Sequence, residues 1–226
     1  MRMTLLCLII TGLAAVFMYQ SAETGKPNRQ YDLGLPWQIT VANGNSSVFG
    51  LSPGSSTLND AIAQLGDDYE LALLERSGQQ GALELYFSRF QTGPLQGKLI
   101  VSATISEAEV QAIKMDSVKQ EYLENGTKKF SLGAMQRKSA LKLFIEGITL
   151  VPAASIDAAV IQNRFGSPSQ IIKSNNQLSH YVYEKQGLTV SIDTKGKEVL
   201  HYVRPSTMTD LISLLRVDAL DDALTH

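Results

Sequence analysis

The residues most suggestive of chemistry form a glycine-flanked serine motif, Gly50-Leu51-Ser52-Pro53-Gly54. This G-x-S-x-G spacing is typical of serine hydrolases, in which a histidine activates the serine and the next backbone N–H stabilises the oxyanion. Here the next residue is Pro53, which has no N–H to donate. A turn before a helix therefore explains the motif better. An envelope serine hydrolase that uses Ser52 with His180 or His201 is kept as the alternative.

The composition offers little for metal or cofactor chemistry. The chain has 3 histidines, and a zinc site needs three or four ligands at a suitable spacing, such as H-E-x-x-H, which the sequence lacks. We interpret His180 and His201 as exposed or half-buried residues of strands. The only cysteine, Cys7, lies in an apolar N-terminal segment, so the rest of the chain has no disulfide or thiolate nucleophile. We predict no catalytic, cofactor-binding or metal-binding residue.

Charge and length narrow the classes of protein further. The 226 residues include 20 Lys+Arg and 22 Asp+Glu, for a formal net charge of −2, and contain no basic run. A nucleic-acid-binding protein needs a basic cluster to neutralise phosphates, so we predict no nucleic-acid partner. The hydrophobic content of 44% is sufficient for a packed core, and the length suits one sizeable domain or two small ones.

The N-terminus is typical of an export and anchoring segment. The 16 residues Thr4–Tyr19 carry no charge, which places the segment between a signal-peptide core of about 7 to 15 residues and a transmembrane helix of about 20. Cleavage after Ala22 would put Gln20 at the −3 position, where a small residue is needed. We therefore predict an uncleaved signal anchor over residues 1–19 and a polar linker over 20–35. The protein would be a single-pass inner-membrane protein with its C-terminal domain in the periplasm. Secretion to the periplasm after cleavage is the alternative.

Hydrophobic periodicity in the first part of the chain predicts a hairpin, a helix and an antiparallel meander. The predicted elements are the hairpin strands Pro36–Val41 and Val48–Leu51, the helix Ser55–Leu65, and the strands Tyr69–Glu75, Ala82–Phe87 and Leu95–Thr104. A longer helix, Ser106–Glu124, follows, because Ser106 and Glu109 form a capping box and Asn125-Gly126 provides a stop.

The second part repeats this order of elements. The predicted elements are the strand Leu141–Val151, the helix Ser155–Phe165, the strands Gln170–Lys173, Leu178–Glu184, Leu188–Asp193 and Val199–Val203, and the helix Thr207–Arg216. Two helix-ending motifs, Leu65-Gly66-Asp67 and Phe165-Gly166-Ser167, are separated by 100 residues. We predict an α+β fold of two tandem helix-plus-antiparallel-meander repeats after an N-terminal transmembrane helix. The repeats would span 36–105 and 141–226, joined by a helical connector over 106–140.

A distinctive sequence pattern lies in the second predicted repeat. After its helix come Gly166-Ser167-Pro168, the aromatic strand Tyr181-Val182-Tyr183, then Gly187-Leu188 and finally Gly196. With this pattern the run Ser155–Val203 resembles the repeat of the SmpA/OmlA outer-membrane lipoprotein family. The resemblance implies a fold shared with β-lactamase-inhibitor proteins and a periplasmic binding or assembly module rather than an enzyme. The family's lipidated cysteine has no counterpart after the leader, and the family offers no catalytic residues to carry over.

These patterns together predict a non-catalytic, membrane-anchored protein of the cell envelope. It would contact the membrane through residues 4–19 and bind an envelope protein or peptidoglycan through a sheet face or loops. Aromatic side chains are the contact candidates, although filling the core is the commoner role for any one of them. These candidates are Trp37, Tyr86, Phe90, Tyr181, Tyr183 and Tyr202.

Overall fold

Antiparallel strands dominate the computed structural model, which describes residues 33–76, 81–123, 126–174 and 177–224, with side chains up to Arg216. The predicted anchor over 1–19 and nearly all of the predicted linker lie outside these residues. In the part of the chain that is described, no helix combines the length and apolar character needed to cross a membrane.

The described chain enters the fold through a small hairpin of β1 (Thr40–Ala42) and β2 (Asn45–Ser47). Asn43 and Gly44 form its turn with φ values of 52° and 76°. Positive φ at both central residues matches the twist of the flanking strands, and Asn-Gly is the pair that tolerates it best. The predicted turn is confirmed, but the return strand is Asn45–Ser47 rather than Val48–Leu51.

The remaining strands of the described residues are β3 (Glu70–Glu75), β4 (Ala82–Thr92), β5 (Leu95–Ala103), β6 (Lys119–Tyr122), β7 (Lys128–Ser131), β8 (Ile145–Pro152), β9 (Gln170–Lys173), β10 (Leu178–Tyr183), β11 (Leu188–Asp193) and β12 (Val199–Val203). They form one ten-stranded antiparallel sheet in the order β6-β7-β3-β4-β5-β8-β12-β11-β10-β9. Strands β6 and β9 are therefore its two edges.

Four short helices lie between strands of the described chain, and a longer helix follows the last strand. The helices are α1 (Leu58–Leu65), α2 (Glu107–Met115), α3 (Ala134–Ala140), α4 (Ala158–Phe165) and α5 (Met208–Leu224). Thr57 and Ser106 each accept from the third residue of their helix in a full capping box, and Asp157 caps α4. These caps satisfy N–H groups that have no partner within the helix.

The predicted fold class of two tandem repeats is wrong, because the two meanders are halves of one sheet. β5 and β12 are the inner strands of the two meanders, and each pairs with a different side of β8. Pairing with β8 satisfies the backbone hydrogen-bonding groups on the inner sides of β5 and β12. The two meanders therefore share one sheet and do not form two separate sheets that would each need a covering layer. The connecting region adds β6 and β7 to the outer side of β3 and is not only helical.

The predicted helix Ser106–Glu124 is also wrong in its second half. Its apolar face buries Val110 and Ile113, but Val118 and Tyr122 remain exposed. With no further apolar contact for its face, α2 ends at Met115 and the chain forms β6 instead. The predicted strand Leu141–Val151 likewise starts later, at Ile145, after α3 and a turn.

The sheet has two unequal faces. The front face carries the main core, to which β3, β4, β5, β8, β11 and β12 contribute alternate residues and onto which α1, α2 and α4 pack. On the back face α5 packs against Ile172, Val182 and Val203. A smaller back-face cluster contains Ile100, Val151 and Val199.

Candidate functional site

Large apolar side chains remain exposed around the edge strand β6. Met115 is 83% exposed, Val118 72%, Tyr122 69% and Met135 78%. We call strand β6 together with these four side chains the β6 surface. The opposite edge strand, β9, exposes only Ile171 among its large apolar residues, at 47%. Exposed apolar groups that concentrate at one place on a soluble domain are typical of an interaction site.

A tight hairpin fixes the position of β6. Gly126 donates to the carbonyl of Leu123 at 2.9 Å, and Leu123 donates to the carbonyl of Thr127 at 2.8 Å. Gly126 has a φ of 79°, a conformation that glycine adopts without strain. In the resulting register Gln120 lies opposite Phe130, whose ring is buried in the front core.

Ion pairs hold this hairpin against the rest of the sheet. Lys129 is almost fully buried, and its ammonium group contacts Glu70 on β3 and lies 3.9 Å from Glu121 on β6. Lys114 at the end of α2 contacts Glu75 on β3. A buried ammonium group needs such carboxylates to offset its loss of hydration. β6 is therefore held firmly although it is a short edge strand.

Helix α3 completes the surface. The side-chain amide of Gln136 donates to Asp116, so the start of α3 lies beside the end of α2. Arg137 donates to the hydroxyl of Tyr69 at 2.7 Å, and its guanidinium lies 5.1 Å from the centre of that ring. Met135, one residue from Gln136, therefore lies on a helix that is anchored on both sides.

The backbone of β6 directs hydrogen-bonding groups away from the sheet. Hydrogen-bonded and non-bonded pairs alternate along an antiparallel ladder. Because Leu123 bonds to Thr127, Glu121 faces β7 in the same way. Gln120 and Tyr122 alternate with Glu121 and Leu123, so their N–H and C=O groups point the opposite way, away from β7 and toward the open edge of the sheet. Among the described residues no strand pairs with this edge, which can accept a further strand.

His201 lies on the back face, between two residues of the front core along β12. Its Nδ1 is 2.9 Å from the hydroxyl of Thr149, and its Nε2 has no hydrogen-bond partner among the described residues. Gly147 makes room for the ring, since a Cβ there would lie 2.8 Å from Cε1 of His201. Burial lowers the pKa of His201 to about 3, so the ring is neutral at physiological pH.

His180 is buried on the same face. Its Nε2 is 2.9 Å from the Ser174 hydroxyl and its Nδ1 is 2.7 Å from the Ser191 hydroxyl. Burial lowers the pKa of His180 to about 4. The interpretation of His180 and His201 as exposed or half-buried was wrong. The described residues contain no group of three or more His, Cys, Asp and Glu side chains that could hold a metal ion.

Two carboxyl groups have pKa values shifted the other way. Burial raises the pKa of Glu84 to about 7, although the positive charge of Arg76 opposes this. Burial also raises the pKa of Glu146 to about 7, against a hydrogen bond from Thr104 and the charge of Arg204. Each carboxyl is therefore partly protonated near neutral pH.

Ser52 lies in a turn that leads into α1. Its carbonyl accepts from the N–H of Ser56 at 2.9 Å, and its own N–H donates to the Ser56 hydroxyl at 3.0 Å. Its neighbour Leu51 packs into the front core. The nitrogens of His180 both contact other serines, and His201 bonds through Nδ1 to Thr149 alone. The described structure therefore joins Ser52 to neither histidine by a hydrogen bond.

The aromatic contact candidates divide into two groups. Phe90, Tyr183 and Tyr202 are buried in the front core, where they cannot reach a partner. Trp37, Tyr86 and Tyr181 are half-buried. Arg164 covers the Trp37 ring, with its guanidinium carbon 4.7 Å from the ring centre. None of the six belongs to the β6 surface, whose residues are not among the contact candidates predicted from the sequence.

One weak pattern points to β6. Val118, Gln120 and Tyr122 alternate with Lys119 and Glu121, as the two faces of a strand do. The pattern is short and also fits a helical spacing of four between Val118 and Tyr122.

A scan against protein-family models, a search of curated proteins and a search of solved structures found no match for this chain. The resemblance of Ser155–Val203 to the SmpA/OmlA repeat stays a prediction.

Proposed function

We propose that this chain is a membrane-anchored protein of the cell envelope whose folded domain binds a protein partner through the β6 surface, without catalysing a reaction. One observation carries the proposal. Val118 and Tyr122, each more than two-thirds exposed, lie at an edge strand that has unpaired backbone groups, and the equally exposed Met115 and Met135 lie on the two helices that flank this strand in the chain. A strand from a partner can pair with such an edge while the apolar side chains supply additional contact area.

The distribution of exposed apolar residues favours this location. Among the described residues, the other large apolar side chains with substantial exposure, Val41, Phe144, Val160 and Ile171, are each less exposed. Fully burying one Val or Met side chain contributes about 1.5 to 3 kcal/mol. The β6 surface is therefore the described region with most to gain from contact. Its apolar character suits a protein better than the polar sugars of peptidoglycan.

The cellular location rests on the N-terminal segment. Thr4–Tyr19 is uncharged and lacks a good cleavage site after it, which supports a single-pass anchor in the inner membrane with the domain in the periplasm. The resemblance of Ser155–Val203 to a periplasmic lipoprotein repeat supports the same compartment. The linker over 20–35 would hold the domain close to the membrane surface.

Site-specific photo-crosslinking in intact cells tests the binding surface. A photoreactive amino acid at Val118 should give a discrete protein adduct, whereas the same amino acid at Ile171 on the opposite edge should give little or none. Equal adducts from both positions, or none from Val118, would overturn the proposal. N-terminal sequencing of the membrane fraction tests the anchor separately, since a mature start near Glu23 would remove the anchor and leave the binding surface intact.

A further inference from the structure

We infer that the partner of the β6 surface is a second copy of this chain, with the two β6 strands paired antiparallel about a two-fold axis at Gln120. This inference rests on the proposed function, because it names the partner of the same surface. A two-fold contact uses the same patch on both copies, so the patch must be complementary to itself. The β6 strand meets this condition in one register.

The backbone limits the registers that are possible. In an antiparallel ladder, outward-facing residues stand opposite outward-facing residues. A two-fold axis can then pass through Lys119, Gln120, Glu121 or Tyr122. An axis at Lys119 places the two lysines opposite each other, and an axis at Glu121 does the same with two glutamates. Like charges directly opposite one another are destabilising. An axis at Tyr122 leaves Lys119, Gln120 and Glu121 without a residue of β6 opposite them.

The axis at Gln120 gives complementary pairs along the whole strand. Lys119 lies opposite Glu121 of the second copy, and Glu121 lies opposite Lys119 of that copy. Val118 and Tyr122 pair in the same reciprocal way, and Gln120 pairs with itself. Within one copy Lys119 and Glu121 are already 2.7 Å apart. The dimer would therefore join two ion pairs into one network of alternating charge.

The free backbone groups match this register. The outward N–H and C=O of Gln120 can bond reciprocally to those of Gln120 in the second copy. The N–H of Val118 donates to Ser131 at 3.1 Å, so the backbone of Val118 faces β7 and adds no bond of this kind. The new ladder is therefore centred on the two hydrogen bonds between the Gln120 residues.

The side chains place the apolar pairs on the front face. Gln120 lies opposite Phe130, whose ring belongs to the front core, so Val118 and Tyr122 share that face. Lys119 and Glu121 then lie on the back face beside Lys129. In the dimer, the apolar pairs would lie on the front face of the sheet across the two-fold axis, and the ion pairs would lie on the back face.

Disulfide trapping of the full chain in membranes tests the register. In a Cys7→Ser background, Gln120→Cys places two thiols at the axis, where Cα atoms of a hydrogen-bonded pair are about 5.5 Å apart, within reach of a disulfide. A disulfide-linked dimer is expected from Gln120→Cys and not from Ile171→Cys on the opposite edge. Absence of the dimer from Gln120→Cys, or equal dimer from both variants, would overturn the inference.

A charge exchange gives a second test that does not depend on oxidation. Lys119→Glu places like charges opposite each other twice, and we expect dimerisation of the full chain in detergent to weaken about tenfold. The double variant Lys119→Glu, Glu121→Lys restores both pairs and should restore dimerisation. Failure of the double variant to recover would contradict the register. A Val118 photo-adduct with a different protein, without any Gln120→Cys dimer, would refute the second copy but retain the proposed function.

Discussion

Buried histidines and buried carboxyls should oppose each other in setting the stability of this domain between pH 4.5 and 6.5. His201 has a folded pKa of about 3 against its usual 6.5, so over this range only the unfolded chain binds its proton. Stability from His201 therefore falls as the pH falls. Glu84 has a folded pKa of about 7 against its usual 4.5, so only the folded chain binds its proton. Stability from Glu84 therefore rises as the pH falls.

The two effects have similar size. The full slope is about 1.4 kcal/mol for each pH unit, and each group is only partly titrated at the ends of the range. Each group therefore changes the free energy of unfolding by about 2 kcal/mol between pH 6.5 and 4.5. His180, with a pKa of about 4, and Glu146, with a pKa of about 7, form a second opposing pair. The four contributions cancel in this range, so the stability of the native chain should be nearly flat. Below pH 4.5 the two histidines still lower the stability, while the two glutamates no longer raise it, so stability should fall.

Single substitutions separate the two effects. His201→Gln should become more stable by about 2 kcal/mol on going from pH 6.5 to 4.5, because only His180 then opposes the two glutamates. Glu84→Gln should become less stable by about 2 kcal/mol over the same change, because only Glu146 then opposes the two histidines. The measurement is urea unfolding of the full chain in a non-ionic detergent, followed by circular dichroism at pH 4.5, 5.5 and 6.5. If both variants keep the flat profile of the native chain, the two groups are not buried as described and the reasoning fails.

Three further substitutions test local packing through the same urea midpoint. Gly147→Ala should cost about 1 to 3 kcal/mol, because the new Cβ would meet the His201 ring at 2.8 Å; an unchanged midpoint would mean that the ring moves freely. Lys129→Met should cost only about 1 kcal/mol, because Glu70 is partly exposed and regains water when the ion pair is lost; a loss several times larger would show that Glu70 is effectively buried. Thr57→Ala should cost about 1 kcal/mol through loss of the α1 cap, with Thr57→Ser as the control that keeps the hydroxyl.

Much of the local structure could be predicted from the sequence. The strands Gln170–Lys173, Leu188–Asp193 and Val199–Val203 have the predicted bounds, because alternating or continuous apolar runs end at Gly or polar turns. Ser106 caps its helix as predicted, since a hydroxyl group before an apolar stripe satisfies the first N–H groups. These features depend on neighbours within a few residues, which a sequence displays directly.

The arrangement of the sheet could not be predicted in the same way. Whether β5 and β12 pair with one central strand depends on contacts between residues about 50 positions apart along the chain, such as Leu99 with Leu150 and Leu150 with Leu200. All three are buried leucines, which suit many alternative pairings equally well. The burial of His180 and His201 was missed for a related reason, since what covers the back face is decided by tertiary packing and not by the strand itself.

The sequence did not predict the β6 surface, because its residues fit both the alternation of a strand and the spacing of a helix, and only the tertiary packing decides between the two.

The charges of β6 explain how its free edge can bind a specific partner without pairing with other strands. Lys119 and Glu121 are charged residues of the kind that prevent edge strands from pairing indiscriminately. In the register centred on Gln120 they are attractive, and in the neighbouring registers they repel. Two hydrogen bonds at about 1 kcal/mol each, with two apolar pairs, only just offset the cost of association, which is about 4 kcal/mol or more. A contact of this strength would be weak between free domains. Two anchors in one membrane would raise the local concentration of each copy for the other. The proposed dimer therefore depends on the proposed anchor. The short strand determines which partner binds, and anchoring in one membrane raises the local concentration enough for the weak contact to form.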